Sequence, residues 1–426
     1  MRALPILLTL IAAVNILPLS TLGQGTLSVA KPESVGMSGE RLARLGEGMK
    51  SLVEQGRLAG AVTLVARHGK IIEFDAVGKR NIAAALPMQK DTIFRIYSMS
   101  KPITGVAMMM LFEEGKWQLD DPVAKYIPEF ADLKVYSADA DGNMVLKEQI
   151  HPVTMRQLMS HTGGFTYGYF SNTPVDKLQR DAEVLDIDNT MEEFIKRVAK
   201  LPLNAQPGSE WHYSISVDVQ GYIVQKLSGM PFEAFLQQRI FKPLNMADTG
   251  FYVPAAKLKR FAEFYRYDKD GRFEVVEGGL NHDFGVVPTF ASGGGGLTST
   301  ATDYLRFCQM LLNGGKLDGV RLLAPRTVEL MRTNMLTPGM TTLSPGVGFG
   351  LDFAVYTDVA AAGGYYGKGT FYWGGAAGTW FWIDPTDDLI VIGMIQQVAG
   401  TGAAAVAGVP DVRGLSHAWV YQAIVD

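Results

Sequence analysis

An apolar helical run that starts directly behind a hydroxyl and an amine constrains this chain more than any other stretch. In Phe94-Arg-Ile-Tyr-Ser-Met-Ser-Lys-Pro-Ile-Thr-Gly105, Ser98 and Lys101 stand three residues apart. Ile103, Val106, Ala107, Met110 and Leu111 follow at helical spacing. Read as one amphipathic helix, the run places Ser98 in the first turn and Lys101 one turn on, over the same face. Hydroxyl and amine then meet where the unpaired N–H groups of the helix start stabilise a developing anion. That geometry suits a serine nucleophile activated by lysine rather than by histidine. The same spacing also suits a plain helix-capping serine with a solvated lysine. A second Ser-x-x-Lys, Ser28-Val-Ala-Lys31, runs into Pro32 with no helical pattern behind it and reads as a chance occurrence.

A chain of 426 residues is long enough for two lobes around a large core. Net charge is −4 with both signs interspersed, so no basic stripe points to nucleic acid. Forty-seven Gly and 20 Pro predict a loop-rich globular fold. Residues 1–23 read as a signal peptide: Arg2, an apolar run from Ala3 to Leu19, then Ser20, Thr21 and Gly23. The alternative is an uncleaved anchor, weakened by Pro5 and Pro18, and membrane contact is expected through that leader alone. Cys308, the single cysteine, can form no intramolecular disulfide and sits in an apolar helical pattern, so it is expected buried. Export without disulfides fits a periplasmic or secreted protein.

Along the chain, Ser38 caps a helix that runs to about Gln55. Gly60–Arg67 and Lys70–Gly78 read as strands joined by a His68-Gly69 hairpin turn. Helix, antiparallel strands, then the helix behind Ser98 argue an α+β fold: an antiparallel sheet flanked by helices, an α/β sandwich. Residues 24–118 and 285–426 form the α/β domain, and 119–284 form an inserted, mainly helical domain. Within it, Val153 opens a helix stopped at Gly163, with His161 in its last turn as a cap. Further helices are expected at Met191–Lys200, Ser216–Leu227 and Phe232–Phe241. Ser292-Gly-Gly-Gly-Gly296 lacks the residues of a phosphate cradle and reads as a close backbone approach beside a cleft. Thr300-Ala-Thr-Asp303 starts a helix through Leu312. Gly346–Phe353, Gly378–Asp384 and Leu389–Gln396 read as strands, and Val412–Ile424 as a last helix. The strands near residues 65 and 385 are expected in one sheet.

A Ser-Lys pair needs a proton path and an oxyanion hole. For the first, Tyr213 stands on a loop just ahead of a helix, where a nearby lysine can help it take a hydroxyl proton. His212 is the rival base; neighbours on an extended loop face opposite ways, so one of the two enters the site. For the second, Trp373-Gly374-Gly375-Ala376 offers a strand edge softened by glycines, and the Ala376 N–H can join that of Ser98.

Taken together, Ser98-Met-Ser-Lys101, Tyr213-Ser and Trp373-Gly-Gly resemble, in order and spacing, the serine β-lactamase-like hydrolases. The closest resemblance is to their class C-like esterases, the family VIII carboxylesterases. His161-Thr-Gly-Gly, Pro207-Gly-Ser-Glu-Trp, Pro243-Leu-Asn-Met-Ala-Asp-Thr and Gly296-Leu-Thr-Ser-Thr-Ala-Thr-Asp-Tyr support it, over residues 35–425. The resemblance implies Ser98, Lys101 and Tyr213 as catalytic residues, and Ser98 and Ala376 as the oxyanion hole. Trp373, Gly374 and Gly375 would bind a small-molecule ester, with no metal or other cofactor. Two departures bear on substrate. Ile215 stands where β-lactamases carry Asn, and Trp373-Gly-Gly stands where they carry Lys-Thr-Gly. Lys368-Gly-Thr370 nearby reads as a decoy, because the strand-like run is expected after residue 375. Loss of the lysine removes a cation for a β-lactam carboxylate, and an aromatic residue favours a neutral, apolar group. An esterase is therefore expected first. A β-lactamase, a D-Ala-D-Ala carboxypeptidase or an acyltransferase on the same site, or a silent binding protein, comes second. No Gly-x-Ser-x-Gly elbow and no His-Glu-x-x-His zinc motif is present.

Overall fold

The computed structural model describes residues 27–279, 281–398 and 410–426; the expected leader lies outside them. Its frame is one nine-stranded sheet. In chain order the strands are β1 (Ser28–Val29), β2 (Gly60–Arg67), β3 (Lys70–Asn81), β4 (Leu86–Pro87), β5 (Val347–Phe349), β6 (Ala354–Tyr356), β7 (Phe371–Gly374), β8 (Trp380–Asp384) and β9 (Leu389–Met394). In space they run β1-β3-β2-β9-β8-β7-β6-β5, with β4 on β3. β9 pairs antiparallel with β2, Val391 opposite Val65, so the two ends of the chain share a sheet. The antiparallel expectation fails at one edge, where β1 pairs parallel with β3. The His68-Gly69 turn has positive φ at both residues (51° and 69°), the conformation that a two-residue hairpin needs.

The helices used below are α1 (Gly39–Glu54), α2 (Ser100–Glu113), α3 (Met155–Met159), α4 (Ser216–Ser228), α5 (Ala301–Leu312) and α6 (Val412–Tyr421). α1 starts where expected, the Ser38 side chain accepting the Arg41 N–H, and buries Leu42, Leu45, Met49 and Leu52 at helical spacing. Phe381 of β8 meets Tyr304 of α5, and Trp382 meets His417 of α6. Adjacent strand residues face opposite ways, so α5 and α6 cover opposite faces of the sheet. β2 and β9 are buried along their whole length accordingly. Cys308 is buried within α5.

α2 departs from the amphipathic reading. Every residue from Ser100 to Leu111 is buried, Lys101 included, because α4 and the helix Phe232–Leu236 cover its outer side. The middle of the chain also holds two hairpins that the helical reading passed over, Val135–Ala138 with Met144–Lys147 and Tyr265–Tyr267 with Phe273–Val275. Among the described residues no helix is long and apolar enough to cross a membrane.

Candidate active site

Ser98 lies outside α2, in a 3₁₀ turn formed by Tyr97–Met99 after the short strand Phe94–Arg95. Tyr97 stops the helix from starting earlier. Its φ of 39° belongs to the left-handed region, which a bulky side chain rarely enters. Phe264 and Phe284 hold its ring at 5.7 and 6.4 Å. The sharp strand-to-helix turn leaves Ser98 half-buried between the buried Tyr97 and Met99.

Lys101 brings a fully buried ammonium to that turn. Its Nζ donates to Ser98 Oγ at 3.3 Å and to the Gly294 carbonyl at 2.7 Å. It also lies over the rings of Tyr213, 4.6 Å away, and Tyr167, 5.0 Å away. A buried cation needs such partners, and two carboxyl groups face it too. Asp218 of α4 and Asp352 beyond β5 are both fully buried. Burial pushes the Asp218 carboxyl up and the Asp352 carboxyl well up, while the charge of Lys101 opposes both shifts.

Tyr213 and His212 separate as an extended loop requires. Tyr213 turns to Lys101, and its hydroxyl accepts the Trp373 Nε1 hydrogen at 3.3 Å. Its ring stacks on Tyr167, and the rings of His161, Phe170 and Trp373 stand 5.0 to 5.4 Å from it. His212 turns the other way, its Nε2 3.2 Å from Thr166 Oγ1 and 3.4 Å from Ser171 Oγ. His161 lies past the end of α3 rather than in its last turn, with φ 58° and Nδ1 3.0 Å from Ser214 Oγ. Burial, then the charge of Lys101, holds its imidazolium well below the usual histidine range. A neutral ring therefore backs Tyr213.

The loop that carries Tyr167 and Phe170 is tied down by Asp176, whose carboxylate accepts from Thr166, Ser171, Thr173 and the Gly168 N–H. Burial raises this carboxyl, but the bonds from Ser171, Thr166 and Thr173 outweigh it and bring it down to about 2. A depressed folded value means stability fully present above the ordinary aspartate range and lost as pH falls toward 2. Wild type should therefore lose melting temperature between pH 4 and 2 more steeply than Asp176→Asn. Parallel acid melting curves check this; equal slopes count against the clamp.

The Trp373 motif sits at the end of β7. The strand expected after residue 375 is β8, and a further strand, Phe371–Gly374, precedes it and runs into the glycine pair, pairing in register with Trp380–Ile383 of β8. Lys368 is solvent-exposed, before the strand. Gly375 makes a close approach to the chain itself. A Cβ at Gly375 would stand 2.4 Å from the Ile96 carbonyl. That fit lays the end of β7 on the turn of Ser98, and Ala376 packs into the cluster around Tyr97. Tyr167, Asp218, Gly294 and Asp352 surround Lys101 without having been singled out as site residues. The signal for Asp218 was a charge inside an apolar helical pattern; the signal for Gly294 was the glycine run, whose carbonyl holds the amine.

A family model described as Beta-lactamase matches residues 46–409. The chain belongs to the beta-lactamase family. This family member is 35% identical to Esterase EstB of Burkholderia gladioli over 361 residues, 80% of this chain and 86% of that protein. It is 39% identical to Protein Rv1367c of Mycobacterium tuberculosis over 387 residues, 87% of this chain and 94% of that one. Among solved structures, EstCE1, described as a hydrolase with promiscuous acyltransferase activity, superposes with a TM-score of 0.76 at 28% identity. That match covers 90% of this chain and 99% of that one. A penicillin-binding protein homologue from Pyrococcus abyssi shares the fold, with a TM-score of 0.65 at 22% identity over 89% of this chain and 77% of that one. The beta-lactamase family member described here is thus a serine hydrolase, on the side of the family where the family VIII-like esterases stand.

Proposed function

We propose that the protein is an exported carboxylesterase that hydrolyses short-to-medium acyl esters through an acyl-enzyme on Ser98. The observation that carries the reading is the 3.3 Å approach of the buried Lys101 ammonium to Ser98 Oγ beneath the Tyr213 ring. In the forward half, Tyr213 takes the Ser98 proton as Oγ attacks the ester carbonyl, and the Lys101 charge stabilises the phenolate. The Ser98 and Ala376 N–H groups hold the tetrahedral oxyanion. The carbonyl–alkoxy bond then breaks, and the phenol proton goes to the leaving alcohol. In the second half, water gives its proton to Tyr213 and attacks the acyl carbon, and Ser98 recovers its proton as it leaves.

The choice of ester over β-lactam rests on Trp373, an apolar ring with one donor at the place of a cationic side chain. Trp373, Tyr167 and Phe170 make an aromatic wall against Tyr213 that favours neutral acyl and alcohol groups. The test is parallel turnover of p-nitrophenyl butyrate, nitrocefin and a D-Ala-D-Ala peptide. Butyrate should exceed nitrocefin in kcat/KM by about a hundredfold or more; the reverse order would make a β-lactamase the better reading. Trp373→Ala should shift relative rates across acyl lengths by about tenfold while the fold survives. Unchanged relative rates would remove Trp373 from the pocket. A second reading is transfer of the acyl group to an alcohol, favoured by the same water-poor wall and by the described activity of EstCE1. Butyl ester formed from vinyl butyrate and butanol would measure it.

A further inference from the structure

α4 carries a carboxylate where its neighbours are apolar. Asp218 lies among Val217, Val219 and Ile223, and all four are fully buried. Its Oδ1 accepts the Ser292 hydroxyl at 2.5 Å and the Gly294 N–H at 3.0 Å. Its Oδ2 is buried and has no hydrogen-bond partner among the described residues. The carbonyl of the same Gly294 accepts from Lys101 Nζ at 2.7 Å, so one residue joins the carboxylate to the ammonium. A Cβ at Gly294 would stand 2.5 Å from Asp218 Oδ2, so any larger residue there would displace the carboxylate. Thr104 of α2 ties the loop from its other side, donating to the Gly293 carbonyl at 2.9 Å.

A buried carboxylate with an unfilled lone pair is costly, and an uncharged residue of the same shape would pack as well. What the charge adds is a counter-ion for Lys101. The other titratable groups that face Lys101 are Asp352 beyond β5, His161 past α3, and Tyr167 and Tyr213 on their loops. His161 is held neutral there, and burial pushes Asp352 well toward its neutral form.

We propose that Asp218 is a positioning residue for hydrolysis at Ser98: it holds Gly294 so that the glycine carbonyl fixes one Lys101 hydrogen and leaves another for Ser98, and it supplies the counter-charge of that ammonium. The inference rests on the function read above, and extends it to a residue that touches no reacting atom.

The test is Asp218→Asn in the full chain, with p-nitrophenyl butyrate as substrate. Asparagine keeps the acceptor for Ser292 and Gly294 and removes only the charge. The expected result is a kcat about tenfold lower or more, KM within about twofold, and a pH–kcat profile displaced from that of wild type. A wild-type kcat with an unmoved profile overturns the proposal. So does a loss that is the same at every pH and tracks a fall in melting temperature, since that is a prop for the loop alone. Should the variant not fold, Ser292→Ala leaves the carboxylate in place and removes one of its two bonds. It should lower kcat severalfold at unchanged KM, and an unchanged kcat overturns the proposal. Ser98→Ala is measured alongside. If that protein stays active, the site reading falls and this inference with it. If it is inactive while Asp218→Asn behaves as wild type, only this inference falls.

Discussion

Replacing Ser98 by alanine lowers ester turnover by about three orders of magnitude or more, consistent with loss of a nucleophile that its partners cannot substitute. The fold should hardly register the change. Ser98 is half-buried, and the bond lost is the 3.3 Å contact from Lys101, which keeps its 2.7 Å bond to Gly294. One such bond contributes about 1 kcal/mol net, a shift of about 2–4 °C in melting temperature for a large domain. A loss of activity without a loss of stability separates a chemical role from a structural one. A fluorophosphonate adduct, located by peptide mass on Ser98 in wild type and missing in the variant, gives the same answer without a substrate. Near-wild-type turnover, or an adduct on another serine such as Ser28 of the exposed edge strand, sinks the assignment.

The parts of this molecule that follow from local chemistry were legible in the sequence. Ser38 capping α1, the His68-Gly69 hairpin and the burial of Cys308 each depend on residues close together in the chain. So does the opposition of Tyr213 and His212, which needs only the alternation of an extended segment. Three features were not legible, and each is set by distant parts. Ser98 leaves the helix because Phe264 and Phe284 trap Tyr97, residues more than a hundred positions away. α2 loses its polar face because α4 covers it. Gly375 lies close against the Ile96 carbonyl, and no local pattern announces that backbone neighbour. The two overlooked hairpins are different. Asp141-Gly142 and Asp270-Gly271, with φ of 83° and 76° at the glycines, are turn signals that the helical reading passed over.

Lys101→Met should lower kcat by about three orders of magnitude, nearly as much as loss of the serine, because the stem is kept and only the charge and its donors go. Its stability should depend on pH more steeply than that of wild type. The Lys101 charge is what opposes the upward push of burial on Asp218 and Asp352. Without it both carboxyls bind protons still more tightly in the folded state than in the unfolded chain. A raised folded value makes stability fall as pH rises from the unfolded carboxylate range up to the folded one. Melting temperature of Lys101→Met should therefore drop between pH 5 and 8 more steeply than that of wild type, and adding Asp218→Asn should flatten the slope. A flat profile in the single variant would mean that the carboxyls do not feel the ammonium. Tyr213→Phe, by contrast, keeps the ring over Lys101 and loses only the hydroxyl on Trp373 Nε1. It should cost about a hundredfold in kcat at nearly constant stability. His212→Ala should fall within a few-fold of wild type, since His212 faces Thr166 and Ser171. If His212→Ala proved the more damaging of the two, proton transfer would run through the Asp176 side of the loop, and the phenol would be only part of the wall.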